Sequence, residues 1–203
     1  MKFPTLSKAL AIPLSLLIAA PLQAADGNGT FAVRGIGGQA CSAWVAISET
    51  QDEAQRAQGV LLLQAWLSGY LSAANRQTAE TYDAMPFLDM LNVLAIVLNE
   101  CRARPDDLVE TTTARVLAAF APVRVTEESP LVTVPDAGGE KSYRKATVTL
   151  VQQKLVDRGL LEGEPDGVIG PGTTKALRAY QAEAGLPETG EMSVDTVFNL
   201  LLK

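Results

Sequence analysis

The sequence predicts an all-α protein that consists of a small disulfide-bonded helical domain, a linker and a second, three-helix module. Three observations predict this arrangement. Apolar residues recur at i, i+3 and i+4 spacing in both halves, which is typical of helices that bury one face. A stretch rich in proline and glycine separates the halves, and the two cysteines both lie in the first half. The predicted segments are 1–25 (signal peptide), 26–121 (first domain), 122–142 (linker) and 143–203 (module).

The N-terminal segment 1–25 has the pattern of a cleaved signal peptide. Lys2 and Lys8 supply a positive region, an apolar run from Ala9 to Ala20 follows, and Ala24 offers a small residue at the cut. A helix that spans a bilayer needs about 20 apolar residues, so this shorter run, which contains Pro13, does not predict a lasting anchor. We therefore expect an exported, periplasmic protein with no integral membrane anchor after cleavage.

The charge of the chain argues against nucleic acid as a partner. The full sequence has 17 basic and 23 acidic side chains, and loss of Lys2 and Lys8 leaves 15 basic ones and a net charge of −8. Nucleic acid phosphates require clustered lysine and arginine, which this balance does not provide. An anionic membrane surface is a poor partner for the same reason.

The sequence contains no histidine. It therefore lacks the usual general base, the usual activator of a serine or cysteine nucleophile and the commonest zinc ligand. We expect no enzyme activity, no metal site and no cofactor. A hydrolase that uses only carboxylates is the mechanism left open.

Cys41 and Cys101 are predicted to form a disulfide. Disulfides form and persist in exported proteins, and an even number of cysteines in such a chain indicates pairing rather than a reactive thiol. Closing a loop of about 60 residues is worth about 4 kcal/mol in the chain-entropy model. The expected role is therefore structural.

Residues 39–120 show helical periodicity. The second predicted helix begins near Pro86 and ends before Pro105, because a residue that precedes proline is pushed out of helical geometry. Asp106 and Asp107 then open a third helix, where their charge suits the positive end of the helix dipole. The repeats that define the first two helices are Leu63, Trp66, Leu67, Tyr70 and Leu71, and Leu91, Leu94, Leu98 and Cys101.

The glycine-rich positions predict structure rather than cofactor binding. Residues 35–40 fit G-x-G-x-x-A after a strand-like stretch at 30–33, but no second strand and no suitably placed acidic residue follow. Residues 167–172 approach a phosphate-binding loop, but the lysine that must follow the last glycine is missing, and Lys175 falls two places late. Gly69, inside the first predicted helix, indicates close packing between helices rather than a ligand site.

Residues 122–142 are predicted to be a linker. The segment contains three prolines and two glycines among acidic residues, which is typical of connecting chain. Its valines indicate that it lies partly against a surface. We expect an extended chain of about 20 residues, with relative motion of the two domains as the default.

The C-terminal segment 143–203 carries an ordered series of motifs. Gly159 is placed to stop one helix, Thr173 to begin a second and Ser193 to cap a third. The series resembles, in order and spacing, the small peptidoglycan-binding domain found in many cell-wall hydrolases. The resemblance implies a non-catalytic module that binds peptidoglycan. The motifs that carry it are Val151-Gln152-Gln153-Lys154-Leu155, Gly159-Leu160-Leu161, Pro165-Asp166-Gly167, Ile169-Gly170-Pro171-Gly172-Thr173, Ala176-Leu177-Arg178, Tyr180-Gln181 and Gly185-Leu186-Pro187-Glu188-Thr189-Gly190.

Within the module, most of the turn at 166–171 is predicted to shape the loop, and Tyr180 is predicted to lie in the core. Ligand contacts are expected from polar side chains, because glycan hydroxyls and peptide carboxylates need hydrogen-bond partners. The candidate ligand-binding residues are Asp166, Thr173, Arg178 and Gln181.

The first domain is similar to HdeA-type periplasmic acid-stress chaperones, and less so to exported immunity proteins of type VI secretion. The similarity rests on Cys41-Ser42-Ala43-Trp44, the run from Trp66 to Leu71, and Glu100-Cys101 followed by Pro105. The leading hypothesis is a non-catalytic periplasmic protein that binds peptidoglycan and tethers a helical protein-interaction domain to the wall, where an unidentified periplasmic protein is its partner. A chaperone or immunity protein localised by the module is the alternative, followed by a divergent wall hydrolase.

Overall fold

The computed structural model describes residues 26–136 and 139–203, so the predicted signal peptide lies outside the described residues. Residues 33–203 form one compact unit, and residues 26–32 belong to a separate N-terminal unit. In the latter, the Asp26 carboxylate accepts hydrogen bonds from the backbone of Asn28 and Thr30, both at 2.9 Å. The strand-like stretch predicted at 30–33 is not a strand.

The first half of the compact unit contains four α-helices, as the periodicity predicts for its main elements. Asp89 caps the third helix by accepting a hydrogen bond from Leu91 N at 2.9 Å, which places the helix start a few residues after Pro86. A short 3-10 helix at Gly35–Gly38 precedes the first α-helix. The four are α1 (Cys41–Glu49), α2 (Glu53–Gln77), α3 (Met90–Ala103) and α4 (Val109–Phe120).

The predicted disulfide is confirmed. Cys41, the first residue of α1, is bonded to Cys101 near the end of α3, and both cysteines are fully buried. The backbone around the bond is fixed as well, because Cys41 N donates to Asp107 O at 2.8 Å. The covalent link therefore clamps α1 to α3 beside the start of α4.

Glycine permits close packing in this half, but at Gly59 rather than Gly69. A Cβ on Gly59 would overlap the side chain of Ile47 in α1, whereas a Cβ on Gly69 would meet no atom within 4 Å. The packing predicted for Gly69 is therefore wrong within this chain, because that residue is on the solvent face of α2. Gly37 lies directly against the Trp66 indole, which gives the 35–40 loop the structural role predicted for it.

Most of the segment predicted as an extended linker is folded. Residues Leu131–Asp136 (β1) and Gly139–Arg144 (β2) pair as antiparallel strands, with Leu131 opposite Arg144. Burial alternates along the strands, so that Val134 and Tyr143 are buried while Thr133 and Ser142 are exposed. This alternation explains why the segment is a hairpin and not the predicted linker, because it lets the segment bury one face despite its proline and glycine content.

The hairpin and the helices on either side of it share one core. Arg144 Nε donates to Asp83 Oδ2 at 2.8 Å, and the Arg144 guanidinium lies 4.7 Å from the ring centre of Tyr82. Phe120 of α4 meets Phe198 of the module edge-to-face, with ring centres 5.9 Å apart. These contacts do not fit two domains that move freely, although the predicted boundaries at 121 and 143 stay predictions.

The module has the three helices that the sequence predicts. Ser193 caps the last one, since its hydroxyl accepts a hydrogen bond from Thr196 N at 3.2 Å. The Tyr143 hydroxyl of β2 donates to the backbone carbonyl of Met192, which ties the hairpin to the module. The fold class is therefore confirmed as mainly helical, with one small sheet added among the described residues. The helices are α5 (Lys145–Asp157), α6 (Pro171–Ala184) and α7 (Val194–Leu202).

Candidate binding site

A buried glutamine of α5 holds the loop that leads into α6. Gln152 is 3% exposed, and its Oε1 accepts a hydrogen bond from Gly167 N at 2.7 Å. Its Nε2 lies within hydrogen-bond distance of Asp166 Oδ1 (2.8 Å), Val168 O (3.0 Å) and Thr173 Oγ1 (3.1 Å). One carboxamide thus fixes both the turn and the first residues of the next helix.

A second glutamine, in α6, holds the following loop in the same way. Gln181 is 1% exposed, and its Oε1 accepts a hydrogen bond from Gly190 N at 2.7 Å. Its Nε2 lies 2.9 Å from Thr196 Oγ1, 3.0 Å from Glu191 O and 3.3 Å from Thr189 Oγ1. The loop between α6 and α7 is therefore tied to α6.

The two glutamine networks repeat one local structure. In each, a glutamine carbonyl receives the N–H of a glycine at positive φ, +75° for Gly167 and +76° for Gly190. In each, the glutamine Nε2 also donates to a threonine hydroxyl in the first turn of the next helix. Residues with a side chain rarely adopt this backbone geometry, so the glycines are required where the loops turn. The module is built from two similarly locked loops.

Three of the four predicted ligand residues, Asp166, Thr173 and Gln181, belong to these networks. Thr173 and Gln181 are buried and use their polar atoms inside the module. Tyr180, predicted to be core, is also buried, with the Arg158 guanidinium 5.1 Å from its ring centre. Contact of Thr173 or Gln181 with a ligand stays a prediction, and the structure gives each a role in holding a loop.

Asp166, the third candidate, is exposed at the turn before α6. Its carboxylate receives hydrogen bonds from Gln152 Nε2 and from Val168 N, both at 2.8 Å. These two hydrogen bonds, that from Gln152 first, lower the pKa of Asp166. The side chain is therefore held in its charged form at the edge of the first locked loop.

Arg178, the fourth candidate, lies on the exposed face of α6 and lines a cavity of about 250 Å³. Its guanidinium forms no hydrogen bond or ion pair with any residue in the described part of the chain. Gly190 forms part of the wall, because a Cβ there would lie 2.9 Å from Thr174 O and 3.1 Å from Arg178 Cγ. The other lining residues are Asp136, Ile169, Thr174, Thr189 and Glu191.

The chemistry of this cavity suits a polar ligand with both charged and neutral groups. An arginine fork binds a carboxylate through two parallel hydrogen bonds. Lys141 Nζ lies 2.7 Å from Asp136 Oδ2, so the positive charge of Lys141 balances the negative charge of Asp136 at this cavity. Sequence reasoning missed Asp136, Thr174 and Glu191 as a group, because they come from β1, α6 and the loop before α7.

A comparison with protein families matches the C-terminal module. A family described as "Putative peptidoglycan binding domain" matches residues 144–197. Over these residues the module is similar to that family. The match includes both glutamine networks and Arg178, and it confirms the resemblance predicted from the motifs. It does not reach α1–α4, so the similarity of that half to HdeA-type proteins stays a prediction. Neither the curated proteins nor the solved structures contain a match to the chain.

Within residues 26–136 and 139–203, no helix has the length and apolar character needed to cross a membrane. Within the same residues, no three or more Cys, Asp or Glu side chains come together as ligands for a metal ion.

Proposed function

We propose that this protein binds peptidoglycan without cleaving it, and that its module holds the helices of residues 26–121 at the cell wall of the periplasm. The family match over residues 144–197 is the observation that carries the proposal. The helices would then present a surface to an unidentified periplasmic protein. The packing of the hairpin against both halves supports a fixed rather than a swinging connection.

The cavity beside Arg178 is the proposed contact surface. Peptidoglycan offers glycan hydroxyls together with short peptides that carry carboxylates. Arg178 can donate to a carboxylate, and Thr174 beside it on α6 and Glu191 on the loop before α7 can accept from an amine or a hydroxyl. The network around Gln181 keeps Gly190 and Glu191 in place, so this wall is preformed before a ligand arrives.

The absence of cleavage is proposed from the state of the carboxylates. A glycosidase needs two carboxyl groups about 5 to 9.5 Å apart across the sugar, and one of them must have a raised pKa. The pKa of Asp166 is instead lowered by the hydrogen bonds that it accepts. Asp136 lies in an ion pair with Lys141. The environment of Asp166 therefore favours the charged form, which is the opposite of what a general acid requires.

Co-sedimentation with purified sacculi tests the proposal. The full chain should sediment with the sacculi, and Arg178→Ala should weaken binding about tenfold or more, because a charge-assisted hydrogen bond is worth about 1.5 to 3 kcal/mol. Lys175→Ala is the matched control, since Lys175 is a cation on the same helix but does not line the cavity. Urea unfolding of both variants checks that the fold is intact.

Three results would count against this function. No binding by the unchanged chain would remove the wall-binding role altogether. Equal losses from Arg178→Ala and Lys175→Ala would mean that general charge, and not the cavity, attracts the sacculi. Full binding by Arg178→Ala would move the contact surface elsewhere on the module.

A further inference from the structure

The solvent face of α2 is unusually apolar for an exposed helix. Leu61 is 67% exposed and Leu62 is 50% exposed, and the two are neighbours. Residues 57–75 contain no charged side chain, so the patch is not interrupted along about five turns of the helix. A single exposed leucine needs no explanation, but two adjacent exposed leucines on a face without charge are a candidate interaction surface when the face also has a shape that a partner can fit.

The shape of this face is complementary to itself. At about 100° per residue, the exposed face is centred on Ala65, with Leu61 and Gly69 placed about 40° to either side and about 6 Å above and below it. Two further pairs on this face are also placed symmetrically about Ala65. In every pair the N-terminal residue is large and the C-terminal residue is small. The three pairs are Leu61 and Gly69, Leu62 and Ser68, and Gln58 and Ser72.

We propose that α2 pairs with α2 of a second copy of this chain, antiparallel and about a two-fold axis through Ala65. Such an axis places Leu61 of each copy over Gly69 of the other, so one contact is made twice. Nothing inside the chain needs a glycine at position 69, where a Cβ would meet no atom. In the pair, the missing side chain becomes the hollow that receives a leucine.

The charges at the ends of α2 fit the same orientation. Glu53 begins the helix and Arg76 lies in its last turn, and neither forms an ion pair within the described residues. Antiparallel pairing brings Arg76 of one copy within reach of Glu53 of the other at both ends. The opposed helix dipoles also favour this orientation over a parallel one. A parallel pair would instead place Leu61 against Leu61 and leave Gly69 against Gly69.

Sedimentation velocity over a series of protein concentrations gives the first test. The chain, expressed with its own N-terminal segment 1–25 and purified from an exporting host, should change from monomer to dimer as its concentration rises. Leu61→Glu and Gly69→Leu should each raise the midpoint of that transition at least tenfold. Leu91→Glu is the control, because Leu91 is comparably exposed but lies on α3. A wild-type chain that stays monomeric at every concentration overturns the proposal and leaves this face to a different protein.

Cysteine cross-linking tests the orientation. Cys41 and Cys101 are bonded and buried, so an introduced cysteine is the reactive thiol. Ala65→Cys should cross-link to itself under mild oxidation. Gln58→Cys and Ser72→Cys should cross-link when mixed, but neither should do so alone. Cross-linking of Gln58→Cys to itself would indicate a parallel pair, and no cross-link at any of these positions would mean that α2 is not the interface.

Discussion

Replacing Gln181 with methionine separates a loop-holding role from a ligand-binding role. Methionine has nearly the same length and volume as glutamine but cannot reproduce its hydrogen bonds, so the substitution leaves no cavity. In the structure, Gln181 is the partner of Gly190 N and of Glu191 O. Loss of the carboxamide leaves Gly190 N unpaired in a buried position and Glu191 O unpaired in a half-buried one.

The size of the effect follows from those two groups. A buried polar group left without a partner costs about 1 to 3 kcal/mol, which applies to Gly190 N, and the half-buried Glu191 carbonyl adds less, so the total is about 2 to 4 kcal/mol. Thr196 adds little, because its hydroxyl keeps a contact of 2.8 Å with the Ser193 hydroxyl. A typical protein is stable by only about 5 to 15 kcal/mol. The free energy of unfolding should therefore fall by a large fraction, and Tm by about 4 °C or more.

Urea unfolding followed by circular dichroism measures this change, with Gln153→Met as the control. Gln153 is an exposed glutamine of α5, and its side-chain amide donates to Asp157 Oδ1 at 2.7 Å on the surface. Its replacement should change the free energy of unfolding by about 0.5 kcal/mol or less. Both substitutions replace glutamine with methionine, so the difference between their effects on the free energy of unfolding measures the effect of burial.

One result would refute the reasoning. If Gln181→Met unfolds within about 0.5 kcal/mol of the unchanged chain and yet no longer sediments with sacculi, Gln181 contacts the ligand. The hydrogen bonds inside the module would then not be what fixes this residue, and the prediction made from the sequence would be the better one.

The remaining predictions concern the disulfide, the acid range and catalysis. Cys101→Ser should lower the free energy of unfolding by about 2 to 5 kcal/mol, and two free thiols found by mass after alkylation of the unreduced protein would contradict the bond. Because the folded-state pKa of Asp166 is lowered, its contribution to stability is present above about pH 4 and is lost as the pH falls through the folded value. The stability difference between the unchanged chain and Asp166→Asn, measured by urea unfolding, should therefore shrink between about pH 5 and pH 2. The chain has no histidine, so any loosening of its fold in acid should occur near or below about pH 4 to 5, where carboxylates titrate. Binding of a dye to exposed apolar surface measures this change, and a cooperative change near pH 6 would exclude a carboxylate mechanism. Sacculi incubated with the protein should release no soluble muropeptides, and release that a single acid-to-amide change abolishes would make the protein a hydrolase.

The helices could be predicted from local sequence, although α3 begins at Met90 and α4 at Val109, a few residues later than predicted, and α6 at Pro171, two residues earlier. Periodicity placed α2, α3 and α5–α7, and Ser193 caps α7 as its residue type predicts. These features depend on residues a few positions apart, which is the range over which sequence patterns are informative. The hairpin was missed because β1 contains Pro135 and β2 begins with Gly139, and both residue types are unfavourable in strands. Its stability also depends on burial of Val134 and Tyr143 against distant residues.

The candidate site could be predicted only in part, for a related reason. A buried glutamine and a ligand-binding glutamine have the same residue type, so the sequence does not distinguish them until burial is known. The repeated order of glutamine, glycine and threonine in both halves of the module was a usable signal for the loop networks. No local pattern brings Asp136, Glu191 and Arg178 to one cavity, because long-range packing alone determines that.

The hairpin has a mechanical consequence for any load that pulls the module away from α1–α4. Its open end is the pair Leu131 and Arg144, from which the chain leaves toward the helices on one side and the module on the other. Such a load would first have to break the contacts that join the hairpin and the two sets of helices, which are the Arg144–Asp83 ion pair, the Phe120–Phe198 ring contact and the hydrogen bond from Tyr143 to Met192. It would then load the strands from their open end and break their hydrogen bonds one pair at a time, rather than all together in shear. The released segment 131–144 can extend to about 50 Å.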